Sequence, residues 1–143
     1  MIVVDTNVMV YLLTGAGMGE DAALLFKKDP EWAAPPILMS ELRNVLVGLL
    51  RKGDLQDHDA VSICDDADAI LGERVAHVPS DVVLQNAIDS KVSASDAEFI
   101  TLARRLRVPL VTEDRAILKG ASDVAVGLKA VGEKLRERER DQD

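Results

Sequence analysis

A chain of 143 residues with 48% hydrophobic and 29% charged side chains has the size and composition of one folded domain, which excludes a disordered polypeptide. Four aromatic residues, Tyr11, Phe26, Trp32 and Phe99, are too few for a nucleic-acid surface built on stacked bases, and the single Cys64 excludes an intrachain disulfide or a paired-thiol zinc or redox site. The net charge of −8 opposes tight binding to any partner held through its phosphates alone.

Taken in chain order, Ile2-Val3-Val4 is a short apolar run ending at Asp5 and reads as a fully buried strand. A helix is expected from Thr6 to Leu13, broken by the glycine-rich stretch Gly15 to Gly19, and an amphipathic helix from Glu20 to Lys28. Trp32-Ala33-Ala34 is a second strand, Pro35-Pro36 opens a helix over Ile37 to Lys52, and Gly53 stops it. A helix over Gln56 to Leu71 precedes a third strand, Arg74 to Val78, and a helix from Ser80 to Asp89 with Ser80 as its N-cap. Ser95 to Leu106 is helical, Pro109 to Thr112 is a fourth strand running into Glu113-Asp114, Val124 to Val126 a fifth, and Ala130 to Arg140 a charged helix with Glu133 and Arg136 at pairing distance. Short buried strands alternating with helices give an α/β fold around a parallel sheet, in which ligands sit at the carboxyl ends of the strands. No run approaches the ~18 apolar residues of a membrane span, and a cytoplasmic setting is expected. Apolar residues are numerous on the Ile37 to Leu50 segment, which suggests a homodimer.

Four acids have positions that matter. Asp5, at the tip of a buried strand, is costly to desolvate unless it meets water, a donor or a cation, although an aspartate there also serves as a helix N-cap. Glu41 lies four residues after Ile37 and four before Val45, on the apolar stripe of its helix; Arg43, at an adjacent helix position, is poorly placed to pair with it, so a cation is the favoured partner. Asp96, in Ser93-Ala94-Ser95-Asp96-Ala97-Glu98, is either a first-turn acid favoured by the helix dipole or a ligand, with Ser95–Glu98 and Ser93–Asp96 as two registers for a capping box. Asp114 follows Thr112 and Glu113 at a strand tip, where the bland alternative is a polar turn. His58 and His77 read as a turn and a strand residue without catalytic use, and the Gly15 to Gly19 stretch lacks the lysine of a phosphate loop.

Together, Asp5-Thr6-Asn7, Ser40-Glu41-Leu42-Arg43-Asn44, Ser93-Ala94-Ser95-Asp96-Ala97 and Thr112-Glu113-Asp114-Arg115 resemble the motifs of the PIN-domain family, most of all its small VapC-type toxin ribonucleases, over Met1 to about Leu128. The resemblance implies a three-layer α/β/α sandwich on a five-stranded parallel sheet. It places the family's four metal-binding acids on Asp5, Glu41, Asp96 and Asp114, with Asn7, Thr112 and Glu113 around them. It further implies Mg²⁺ or Mn²⁺, an RNA substrate cut to 5′-phosphate and 3′-hydroxyl ends, an antitoxin partner and a homodimer. A metal-binding module held by a partner, with little or no nuclease activity, is the alternative. A phosphotransfer receiver would need an acid pair beside Asp5, and a haloacid-dehalogenase-like phosphatase a second aspartate where Asn7 stands. A structure-specific DNA nuclease would need insertions that 143 residues do not leave room for.

Overall fold

The computed structural model describes residues 1–143. Four short strands, β1 (Ile2–Val4), β2 (Trp32–Ala33), β3 (Leu110–Thr112) and β4 (Ala125–Gly127), form one parallel sheet in the order β2-β1-β3-β4. Val3 lies beside Ala33 on one side and Leu110 on the other, and Val111 beside Val126. The chain leaves β1 for β2 on one flank and later returns to β3 on the other. The carboxyl ends of β1 and β3 therefore flank the switch point where open α/β sheets form crevices.

Eight helices surround the sheet: α1 (Thr6–Thr14), α2 (Gly19–Lys28), α3 (Ile37–Lys52), α4 (Asp57–Leu71), α5 (Ser80–Ser90), α6 (Ala94–Leu106), α7 (Arg115–Gly120) and α8 (Leu128–Asp141). Helix α1 packs on α2, α3 and α4, and α2 on α8, while α5, α6 and α7 form a second group. With helices on both faces, β1, β2 and β3 are buried along their whole length, which is why they read as unbroken apolar runs. Trp32 is fully buried, its Nε1–H donating to the Asp29 carbonyl (2.8 Å) and its ring edge-on to Phe26 with centroids 5.2 Å apart. No single helix is long and apolar enough to cross a membrane.

The expected five-stranded sheet is a four-stranded one. Arg74 to Val78 contributes only one bridge, between Val75 and Ala34. Its Arg74 side chain donates to the carbonyls of Trp32 (3.1 Å) and Ile70 (2.8 Å), so a guanidinium occupies the β2 carbonyl that a further backbone rung would use. Pro79, without an N–H, ends the segment and takes the N-cap position of α5, so Ser80 is the first helical residue and not the cap. At α6 the cap is Ser93, whose Oγ accepts from the Asp96 N–H (3.1 Å), and the Ser95–Glu98 register is not used. Arg136 pairs not with Glu133 but with Asp21 of α2 (2.6 Å), a contact of charge whose geometry falls short of a hydrogen bond. A Cβ on Gly132 would overlap that Asp21 carboxylate, so glycine is what lets α2 and α8 come this close.

The apolar residues of α3 mostly face inward. Leu38, Leu42 and Leu46 are buried, and Val47 is the one large apolar side chain of that helix that is clearly exposed. Larger apolar exposure lies on Val61 of α4 and on Leu84 and Ile88 of α5. Part of the segment the sequence suggested for dimerisation thus belongs to the hydrophobic core, while Val47 and Leu50 line an open apolar face with Ala60 and Val61 of α4.

Candidate active site

Strand β1 carries Asp5 to the crevice, where it is almost wholly buried and caps α1. One oxygen, Oδ1, accepts from the Val8 N–H (3.1 Å); the other, Oδ2, accepts from the Thr112 hydroxyl. Thr112 is buried at the end of β3, and its Oγ1 also accepts from the Asp114 N–H (3.0 Å). One hydroxyl therefore ties together the two acids that follow neighbouring strands. Asp114 is exposed and caps α7 through Oδ1, which accepts from the Ile117 N–H (2.9 Å). Asp96 stands half-buried in the first turn of α6. Glu41 comes from α3, also half-buried, with Oε1 accepting from the Thr6 hydroxyl (2.9 Å).

The four carboxylates line one open pocket of about 300 Å³, together with Thr6, Asn7 and Asn44. No lysine, arginine or histidine lines it. Three helices, α1, α6 and α7, begin at its wall, and their amino ends contribute the only fixed positive potential there. That field does not neutralise the cluster. Burial pushes the Asp5 carboxyl up to about 6, against the hydrogen bonds from Thr112 and Val8, and the charges of Asp114 and Asp96 push the same way. Asp96 is raised too, by burial first and then by Asp114. These are acids short of positive charge.

All the donors are oxygens of carboxylates, the set that hard divalent cations of the Mg²⁺ or Mn²⁺ type prefer. The donor chemistry fits such an ion. As they stand, no three of the acids converge closely enough to hold one ion.

The pattern of the PIN domain matches residues 2–122 of the sequence. The chain belongs to the PIN-domain family. Its fold is similar to that of PAE2754 from Pyrobaculum aerophilum, with a TM-score of 0.74 at 20% identity, covering 95% of this chain and 89% of the other. It is also similar to FitAcB from Neisseria gonorrhoeae, with a TM-score of 0.65 at 20% identity, covering 89% and 96%. No curated protein matches the sequence significantly.

Around the pocket of this PIN domain the remaining expected residues divide. Thr112 is where it was anticipated. Asn7 lines the pocket but is exposed and makes no side-chain hydrogen bond, so Thr112 and the Val8 N–H orient Asp5 in its place. Glu113 turns away: its Oε1 accepts from the Lys129 N–H (2.7 Å) and caps the start of α8, whose own N-cap, Gly127, has no side chain to offer. Arg104 and Arg105 lie in the last turn of α6, and Arg107 ends it. Arg104 is eight residues, roughly 12 Å of helix, beyond Asp96, and it is committed to Asp123 (2.7 and 3.0 Å) and Asn86 (2.9 Å). His58 and His77 are exposed and absent from the pocket. The residue sequence reasoning missed is Asn44. It lies three positions after Glu41, a spacing that puts both on one face of α3.

Proposed function

We propose that this PIN domain is a metal-dependent endoribonuclease and the toxin of a toxin–antitoxin pair. PIN domains are in general nucleases, and the observation that carries the reading is the gathering of Asp5, Glu41, Asp96 and Asp114 around one pocket that no basic side chain lines, at the carboxyl ends of β1 and β3.

Those four residues would hold Mg²⁺ or Mn²⁺. When bound, such ions supply an activated water at neutral pH and charge relief for the phosphoryl oxygens. The chain's own contribution is placement. Asp5 is locked at both oxygens by Val8 and Thr112, so its carboxylate cannot swing away when it loses its proton. Thr6 holds Glu41 against the pocket from the first turn of α1. Asp96 and Asp114, at the amino ends of α6 and α7, form the outer rim that a phosphodiester meets first. Water attack on phosphorus with departure of the 3′ oxygen leaves 5′-phosphate and 3′-hydroxyl ends.

A basic partner is supported by a second feature. A groove of about 640 Å³ between α1, α3 and α4 shares the wall residue Val45 with the carboxylate pocket. Leu13, Leu49 and Ile63 make it apolar, and Asp54 and Asp59 make its edge acidic. An antitoxin segment with an apolar face would lie in this groove and extend an arginine or lysine among the carboxylates. That contact would displace the metal and silence the enzyme.

The test is cleavage of total RNA by the wild type and by Asp96→Ala, each with Mg²⁺, Mn²⁺ or EDTA. Discrete fragments are expected from the wild type with metal and from nothing else. Fragments from Asp96→Ala at the wild-type rate would refute the assignment. Mn²⁺ binding without any cleavage would favour the partner-held module.

A further inference from the structure

An RNA phosphate entering this pocket meets a problem the four acids do not solve. Its oxygens turned toward a cation would be neutralised, but an oxygen turned toward the α3 wall faces Glu41 and no positive charge. Among the side chains lining the pocket, only three carry a conventional hydrogen-bond donor: Thr6, Asn7 and Asn44. Thr6 spends its proton on Glu41. Asn7 and Asn44 are both exposed, and neither amide makes a hydrogen bond within the protein.

Resting on the nuclease reading above, we infer that Asn44 positions the substrate by donating its amide N–H to a non-bridging phosphoryl oxygen of the RNA backbone. It stands one helical turn beyond Glu41 on the same face of α3, with Val45 beside it on the pocket wall, so its amide reaches the space above the carboxylates and not the core. A neutral amide suits this place better than a lysine or arginine. A cationic side chain would pair with Glu41 or Asp96 and compete with the divalent ion for the same oxygens, whereas an amide donates to phosphate and leaves the carboxylates free. Asn7, at the start of α1, faces the same pocket from the opposite helix, but its backbone belongs to the turn that Asp5 caps. Asn44 is the donor that can be altered without touching that turn.

The experiment compares wild type, Asn44→Ala and the isosteric Asn44→Asp on a single-stranded RNA oligonucleotide that the wild type cleaves with Mn²⁺, together with their thermal unfolding. Asn44→Ala should raise KM about tenfold, the loss expected for one hydrogen bond to a charged acceptor, with kcat within about twofold. Asn44→Asp, which replaces the donor by a fifth carboxylate, should raise KM further still. Unfolding temperatures should agree with the wild type, because the side chain is exposed and unbonded. Unchanged KM in both variants overturns the inference, as does Asn44→Asp performing as well as wild type. An inactive wild type that Mn²⁺ does bind would instead remove the nuclease reading on which the inference stands.

Discussion

Replacing Asp5 by asparagine should make the metal-free protein more stable at neutral pH, while destroying its response to metal. Asp5 ordinarily ionises near 3.8 and in the folded protein near 6. A carboxyl with a raised folded value takes up a proton on folding. The stability it contributes is complete below about 3.8 and is lost as pH rises through about 6. At pH 7.5 the wild type therefore carries an ionised, buried and repelled carboxylate that costs at most about 3 kcal/mol, about 1.4 kcal/mol for each unit of displacement. Asparagine removes the charge and still caps α1, its oxygen accepting from the Val8 N–H. It has no second acceptor for the Thr112 hydroxyl, a loss of about 1 kcal/mol. The net gain is about 2 kcal/mol, which for a chain of this size raises Tm by roughly 6 °C. The assay is calorimetric unfolding in EDTA at pH 7.5 and at pH 4.5, then with Mn²⁺ at pH 7.5. The advantage of Asp5→Asn should shrink at pH 4.5, where the wild-type carboxyl is largely protonated, and Mn²⁺ should stabilise the wild type only. A variant no more stable than wild type at pH 7.5, or a difference unchanged at pH 4.5, would refute the reasoning.

Thr112→Val keeps the shape at the end of β3 but removes the donor to Asp5 and the acceptor of the Asp114 N–H. It should raise the Asp5 pKa further and cut metal affinity by about 10- to 100-fold, read by isothermal titration with Mn²⁺. Glu113→Ala should cost about 1 kcal/mol in denaturant unfolding through loss of the α8 cap, with RNA cleavage at the wild-type rate; a large loss of kcat would return Glu113 to the metal site. Gly120→Ala should destabilise by about 1–3 kcal/mol in the same assay, because a Cβ there would overlap the Ser90 carbonyl.

The α/β class and the strand-end positions of Asp5 and Asp114 were legible in the sequence, because buried strands leave a pattern in chain order, whereas the set of four acids came from the resemblance to the PIN-domain motifs. What could not be read belongs to contacts between distant segments. The Arg74 guanidinium settles on a β2 carbonyl 42 residues away and removes a strand from the sheet. Glu113 looks like one more pocket acid until the start of α8 is seen to lie beside it, 16 residues on. The ties of Arg104 to Asp123 and Asn86 join residues 19 and 18 positions apart and leave no mark in the sequence. Asn44 was within reach of a helical-spacing argument, but only the fold shows that no other unpaired amide except Asn7 faces the pocket.

The tight fit of Gly120 against the Ser90 carbonyl acts at a distance. Ser90 ends α5 three residues before Ser93, the cap of the helix that carries Asp96, and Gly120 ends the short helix that Asp114 caps. The contact is thus a fulcrum with one acid on each arm. A side chain inserted there would pry the arms apart, so the gap between Asp96 and Asp114 rests on a glycine that lies outside the pocket they line.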